Sequence, residues 1–204
     1  MGICRRNASE WGSAAQDTCG KNTMYLTDTI NFVFGVGTLA AQAGILILVF
    51  FLLTRTPAAL GTFLHSRGVF IAWTFSLIAI LGSLLYSEVV GFEPCKLCWI
   101  QRIFMYPQIV ILGFALWGRH RGSHALIDSA LVMSLIGFVV AIYHILLQWG
   151  FVPELPCSAV GYGVSCAQNF VLQFNFITLP LMSATTFLFI ALALLSSRRR
   201  SSAI

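Results

Sequence analysis

Apolar residues fall along this chain in five long runs separated by short polar stretches. Ile30–Leu53 covers 24 residues and is broken by polar side chains only at Asn31, Thr38 and Gln42. Gly68–Val90 is the second run, Ala125–Trp149 the fourth and Ile177–Leu195 the fifth. The third, Ile103–Trp117, is only fifteen residues. It reaches membrane-spanning length if its helix begins near Trp99, which draws Gln101 and Arg102 into the helix close to one membrane face. A helix needs ~20 apolar residues to cross a bilayer, so each run predicts a transmembrane helix. No alternating strand pattern competes with them and no internal repeat is visible. The pattern predicts an all-α integral membrane protein, with residues 1–29 ahead of the first run and residues 196–204 as a basic tail.

Composition narrows the class. Of 204 residues, 58% are hydrophobic and only 9% charged, with a mean hydropathy of +0.85. A soluble domain carries about a quarter charged residues, and a disordered chain is poor in apolar ones; both are excluded. The first run is too long for the ~7–15-residue apolar core of a signal peptide, and Ala58-Ala59 is a poor cleavage site, so a retained helix is expected. The net charge of +5 does not point to nucleic acid, because the basic residues are placed as loop anchors.

Their distribution sets the orientation. Arg55, Arg67, Arg119, Arg121, Arg198, Arg199 and Arg200 fall on one side of a five-span topology. On the other side Arg5, Arg6 and Lys21 are balanced by Glu10, Asp17 and Asp28, Lys96 stands alone, and the stretch 150–176 has no Lys or Arg. The positive-inside rule then predicts an outer N-terminus and a cytoplasmic C-terminus. It also places all six cysteines (Cys4, Cys19, Cys95, Cys98, Cys157 and Cys166) on the outer side, where disulfides persist.

Two cysteine pairs carry the candidate chemistry. In Pro94-Cys95-Lys96-Leu97-Cys98-Trp99-Ile100-Gln101-Arg102, two residues separate the thiols, so a small disulfide ring can close. A helix start favours a thiolate, and Pro94 suits the entry to such a helix. Cys95, Cys98 and Arg102 share one helical face. Arg102 has two readings: a snorkelling anchor, or an intramembrane cation that needs an anionic partner, for which the Cys98 thiolate and a reduced acceptor are the candidates. Cys157 and Cys166 flank eight residues that include Gly161 and Gly163. They form either a structural bridge or the second half of a relay, since a thiolate can pass a disulfide from one pair to the next. Zinc or copper held by the four thiolates is the competing reading, and no metal is expected. His144 is either a buried hydrogen-bonding group or part of an acceptor pocket and proton path. Glu88 and Glu93 flank the redox turn, Asp128 suits a helix start, and His65, His120 and His124 fall on the cytoplasmic side with no chemistry assigned.

The string Cys95-Lys-Leu-Cys98-Trp-Ile-Gln101-Arg102-Ile-Phe-Met-Tyr106-Pro107 resembles the signature of the disulfide bond formation protein B (DsbB) family. Tyr143-His144, Cys157…Cys166 and Phe176-Ile-Thr-Leu-Pro180 resemble its shorter, BdbC-like branch. The resemblance spans residues 68–195. It implies a four-helix transmembrane bundle, to which run 30–53 adds one N-terminal transmembrane helix. It also implies a thiol:quinone oxidoreductase that reoxidises an extracytoplasmic thioredoxin-fold thiol oxidase, DsbA-like, and passes electrons to ubiquinone or menaquinone. By matched position, Cys157 takes the mixed disulfide with the partner and Cys166 exchanges with Cys95. Cys98 faces the quinone with Arg102 beside it, and Gln101 and His144 are further quinone-side candidates. Gln101 stands where some relatives carry Glu. Residues 1–29, run 30–53, Cys4 and Cys19 have no counterpart in that pattern. Rival readings are a vitamin K epoxide reductase-like enzyme, in which the loop cysteines would precede the CxxC rather than follow it, a metal-handling membrane protein, and a membrane protein with purely structural outer disulfides.

Overall fold

The structure, a computed structural model, describes residues 13–54, 58–90, 94–117, 123–152, 166 and 176–198. Among the described residues five α-helices run in order: α1 (Ser13–Thr54), α2 (Ala58–Leu84), α3 (Lys96–Trp117), α4 (His124–Gln148) and α5 (Leu179–Arg198). A π-helical turn, Leu85–Val89, continues α2. Each helix contains a stretch long and apolar enough to cross a membrane. The protein is an all-helical, multi-pass membrane protein.

The helices extend beyond the apolar runs. α1 starts at Ser13, well ahead of Ile30, and α2 starts at Ala58, ten residues ahead of Gly68. Hydropathy marks the lipid-matched part of a helix and not its ends. α3 begins at Lys96 rather than near Trp99, so Cys98 lies in its first turn. Pro107 sits inside α3. It has no N–H to give the ladder, a loss that a membrane helix tolerates when neighbouring helices pack around it.

α2, α3, α4 and α5 form a ring in which α2 packs on α3 and α5, and α4 on α3 and α5. α1 packs chiefly on α5, outside that ring. α5 is accordingly the most enclosed helix and α1 the least. The centre of the ring is apolar: Leu112, Ile190 and Leu194 are fully buried with Ala72 and Ala130. Nearer the dithiol, Phe187 of α5 lies against α4 where a side chain at Gly137 would stand, its ring carbons 2.5 Å from an ideal Cβ. Gly137 therefore sets how closely α4 and α5 approach. At the end away from the dithiol, Arg198 pairs with Asp128 at 2.7 Å. Both are about two-fifths exposed, so the pair stabilises the fold by at most ~1 kcal/mol.

One buried group conflicts with this packing. Gln108 of α3 is fully buried, between the apolar layers around Met105 and Leu112, and neither atom of its amide has a hydrogen-bond partner among the described residues. An unsatisfied buried amide costs ~1–3 kcal/mol. Gln108→Leu keeps similar bulk and removes that cost. It should raise the thermal midpoint of the detergent-solubilised protein by a few degrees at ~2–4 °C per kcal/mol; a lower midpoint would show that the amide is engaged.

Candidate functional site

The site is built on the first two turns of α3, and three other helices supply its partners. Cys95 is buried just ahead of the helix and Cys98 lies half-buried within its first turn. The Cys95 thiol donates a hydrogen bond to Cys98 Sγ at 3.1 Å. Burial and this bond hold the proton on Cys95, whose thiol is pushed up from 9.0 to about 12. The bond to Cys98 is the largest cause, burial the second, and the neighbouring His144 acts in the opposite direction.

His144, near the end of α4, is 2% exposed and connects several of the predicted residues. Its Nε2 lies 3.8 Å from Cys95 Sγ and 3.1 Å from the backbone carbonyl of Cys166. A carbonyl only accepts, so Nε2 carries the hydrogen. Nδ1 is then the acceptor for the Gln101 amide N–H at 3.4 Å. Gln101 Oε1 in turn accepts from the Ser183 hydroxyl of α5 at 2.9 Å, a hydroxyl equally close to the Pro180 carbonyl. The chain Ser183–Gln101–His144 fixes one imidazole tautomer, with its N–H aimed at the Cys95 and Cys166 side. Cys166 is buried in the same apolar cluster as Cys95, with Leu97 and Leu147.

Arg102 turns the other way. Its Nε and Nη2 donate to the Oγ and the backbone carbonyl of Ser83 in α2, both at 2.8 Å. The carbonyl lies just before the π-helical turn, a local departure from the α ladder that recurs at functional sites. The Arg102 guanidinium carbon also sits 5.3 Å from the centre of the Trp99 ring, a cation–π distance. Neutral acceptors and an aromatic face hold the guanidinium, and among the described residues no carboxylate pairs with it.

Arg102, Gln101 and Cys98 open onto a cavity of about 620 Å³, within the ~300–1,000 Å³ range of small-molecule sites. Ser83, Tyr86 and Ser183 also line this polar end, and the rest of the wall is largely apolar side chains of α1, α2 and α5. His144 is not among the lining residues; it lies beyond Gln101, on the thiol side. The structure thus brings together Cys95, Cys98, Gln101, Arg102, His144 and Cys166.

Cys157, Cys4, Glu93 and His120 lie outside the described residues, and of Cys19 and His65 only the helical backbone is described. Glu88 is engaged locally, accepting a hydrogen bond from Ser87. Ser83 and Ser183 escaped the sequence reading, because nothing in an apolar run marks which serine a distant side chain will find. The contact of Trp99 with Arg102 was missed as well, although a spacing of three on a helix could have signalled it.

The same geometry has a metal-like aspect. Cys95, Cys98 and His144 place their ligand atoms within 4.8 Å of one another. A closed structural zinc site takes four such ligands, and this group offers three.

The family model for the disulfide bond formation protein DsbB matches residues 65–197. The chain belongs to the DsbB family. It is 40% identical over 131 residues to disulfide bond formation protein C of Bacillus subtilis (strain 168), covering 62% of this chain and 91% of that protein. It is 36% identical over 133 residues to probable disulfide formation protein C 2 of Bacillus anthracis, covering 65% and 91%. A probable disulfide formation protein of Metapseudomonas resinovorans is 37% identical over 133 residues, covering 64% and 89%. No solved structure matches the chain. Membership of the DsbB family makes this a membrane oxidoreductase of disulfide bond formation. The matched region takes in most of α2, all of α3 and α4, and α5 up to its last residue, and leaves α1 outside.

In this DsbB-family site the state of Cys95 depends chiefly on Cys98. Thiolate is the reactive form, so Cys95 in the reduced protein should alkylate appreciably only at strongly alkaline pH. Cys98→Ala removes the larger cause of the raised pKa and leaves burial. The pH midpoint for Cys95 alkylation, followed by mass spectrometry, should move down from about 12 towards 9.0. An unmoved midpoint would assign the effect to burial alone.

Proposed function

We infer that the protein is a thiol:quinone oxidoreductase. It takes electrons from a reduced, extracytoplasmic thioredoxin-fold oxidase and delivers them to a membrane quinone. The observation that carries this reading is the position of the dithiol. On one side Cys95 shares a buried cluster with Cys166; on the other Cys98 opens, with Arg102, onto the cavity. A dithiol that served only to brace a loop would need no second opening.

The steps balance as thiol–disulfide exchanges. A partner thiolate attacks Cys157 of the Cys157–Cys166 disulfide and Cys166 leaves; the partner's second thiol then resolves the mixed disulfide and departs oxidised. The Cys166 thiolate attacks Cys95 of the Cys95–Cys98 disulfide, and Cys98 leaves as thiolate. Cys157 then attacks Cys166, restoring the outer disulfide and releasing Cys95. The strong hold of Cys95 on its proton means that this sulfur leaves protonated, with the His144 N–H 3.8 Å away. Closing the Cys95–Cys98 bond again releases two electrons and two protons towards the cavity. A bound quinone supplies the acceptor for both.

The residues present fit such a ligand. The cavity joins a polar end carrying a cation to a long apolar remainder, as an amphipathic redox carrier requires. Arg102 spends two of its five N–H donors on Ser83 and keeps its charge for oxygens in the cavity. The basic bias of the opposite loops supports placing the redox end outside the cytoplasm. Metal handling through Cys95, Cys98 and His144 is the second reading; stoichiometric zinc or copper in protein purified without added metal would favour it.

Two outcomes test the proposed route. Arg102→Met removes a charged donor, and hydrogen bonds to charged groups contribute ~1.5–3 kcal/mol. The apparent KM for quinone should rise about 10- to 100-fold, at ~1.4 kcal/mol per factor of ten, while disulfide exchange with the partner continues. Ser83→Ala, which loosens Arg102 without removing it, should give a smaller rise. Equal loss of both half-reactions in folded Arg102→Met would point to structural damage instead.

Cys166→Ser leaves Cys157 as a lone thiol. Mixed with oxidised partner, it should form a reductant-sensitive adduct on non-reducing gels, because the resolving thiol is gone. An adduct mapping to Cys95 would reverse the assigned order of the two pairs.

A further inference from the structure

The helix outside the family match forms one side of the cavity. α1 contributes Val33, Phe34, Gly37, Thr38, Ala41 and Gly44 to the lining, and α2 and α5 supply most of the rest. Two contacts in which an aromatic ring fills the place of a glycine side chain hold α1 there. Phe34 lies 2.6 Å from where a Cβ on Gly82 of α2 would stand, and Phe189 of α5 lies 2.9 Å from the same position on Gly44. Asn31 adds a polar anchor, accepting a 3.0 Å hydrogen bond from the Tyr86 hydroxyl, and Phe34 meets the Tyr86 ring.

Between these anchors α1 presents small residues to the cavity, Gly37, Thr38, Ala40 and Ala41. A Cβ on Gly37 would meet no atom within 4 Å. The hydroxyls along this stretch are already spent: Thr38 bonds to Phe34 O, Thr185 to Leu181 O and Thr186 to Met182 O. The lining runs from Val33 to Gly44 on α1 and from Phe75 to Ser87 on α2, about 16–18 Å of helix rise. Only one end carries Cys98 and Arg102. A redox ring head there leaves most of the length for a chain of purely apolar chemistry.

We propose that α1 is the wall that receives the isoprenoid tail of the quinone, and that the missing side chain at Gly37 sets the width available to it. This rests on the quinone reading above. It makes α1 a determinant of specificity, selecting quinones by tail length while Cys98 and Arg102 act on the head.

The test compares the full-length protein with Gly37→Leu, and with Gly37→Ala as a milder step, using quinones that share one ring and carry either a single isoprenoid unit or several. Leu46→Ala is the control, because Leu46 is exposed on α1 and does not line the cavity. In Gly37→Leu the ratio of kcat/KM for long-tail over short-tail quinone should fall about tenfold, with Gly37→Ala intermediate and Leu46→Ala at the wild-type ratio. A readout independent of turnover is thermal stabilisation. Long-tail quinone should raise the wild-type midpoint more than short-tail quinone does, and Gly37→Leu should lose that difference. An unchanged ratio, or equal loss with both quinones, overturns the role of α1 while leaving the quinone reading standing. Wild-type protein that neither reduces nor is stabilised by either quinone removes both.

Discussion

Lipid offers no hydrogen bonds, so a polar group that a helix carries into the membrane is costly unless another group bonds to it, and at the dithiol end of α3 two side chains find their partners on other helices. Gln101 and Arg102 are adjacent and diverge, and that divergence organises the rest of the structure. Gln101 reaches Ser183 on α5 and His144 on α4, and Arg102 reaches Ser83 on α2. The start of α3 is thereby tied to each of the other three helices of the ring at the level of the dithiol. The apolar clusters below it are interchangeable in kind, since any well-packed set of Leu, Ile, Phe and Ala would fill the same space. The polar ties are not, because breaking any of them strands a group in a medium that cannot solvate it.

The divergence also gives the two sulfurs different surroundings. Cys95 is buried with His144 and Cys166 away from the cavity, whereas Cys98, which packs against the same cluster, also lines the cavity with Arg102 and Gln101. A symmetric dithiol would have no preferred direction of exchange. Here the proton rests on Cys95, which donates to Cys98. In the proposed route that asymmetry gives each sulfur a separate task, one meeting an incoming thiolate and the other facing the electron acceptor.

Much of this was legible in the sequence, for reasons that can be stated. The five spans follow from hydropathy because each apolar run has to match the same bilayer thickness. The CxxC and the arginine one turn beyond it share a face by helix geometry alone. What was not legible was non-local. Gln148 is the neighbour that helical spacing offers His144, yet its contacts are Cys95, Gln101 and the Cys166 carbonyl, the nearest of them 22 residues away in sequence. Nothing local marks Ser83, 19 residues before Arg102, as the residue that holds its guanidinium. The extension of α1 back to Ser13 carries no sustained hydropathy signal, since residues 13–29 mix polar and apolar residues with no long apolar run. The contribution of α1 to the cavity follows from packing against α5 and from two glycines that each accept a ring, which no local pattern announces.

The identity of the Arg102 partner has an energetic consequence. A charge at the centre of a membrane helix costs ~2.5–3.5 kcal/mol, less near the interface. Two charge-assisted bonds to Ser83 and the Trp99 face offset that cost. A carboxylate partner would have stabilised it equally well and cancelled its field. Serine holds the guanidinium in place and leaves the positive charge intact at the rim of the cavity. A fixed, uncancelled charge needs no reorganisation when negative charge develops beside it, and preorganisation of this kind is what makes electrostatic stabilisation effective in a low-dielectric site. The choice of a neutral partner therefore ties α3 to α2 and, in the proposed route, also keeps the charge available for negative charge that develops during the reaction.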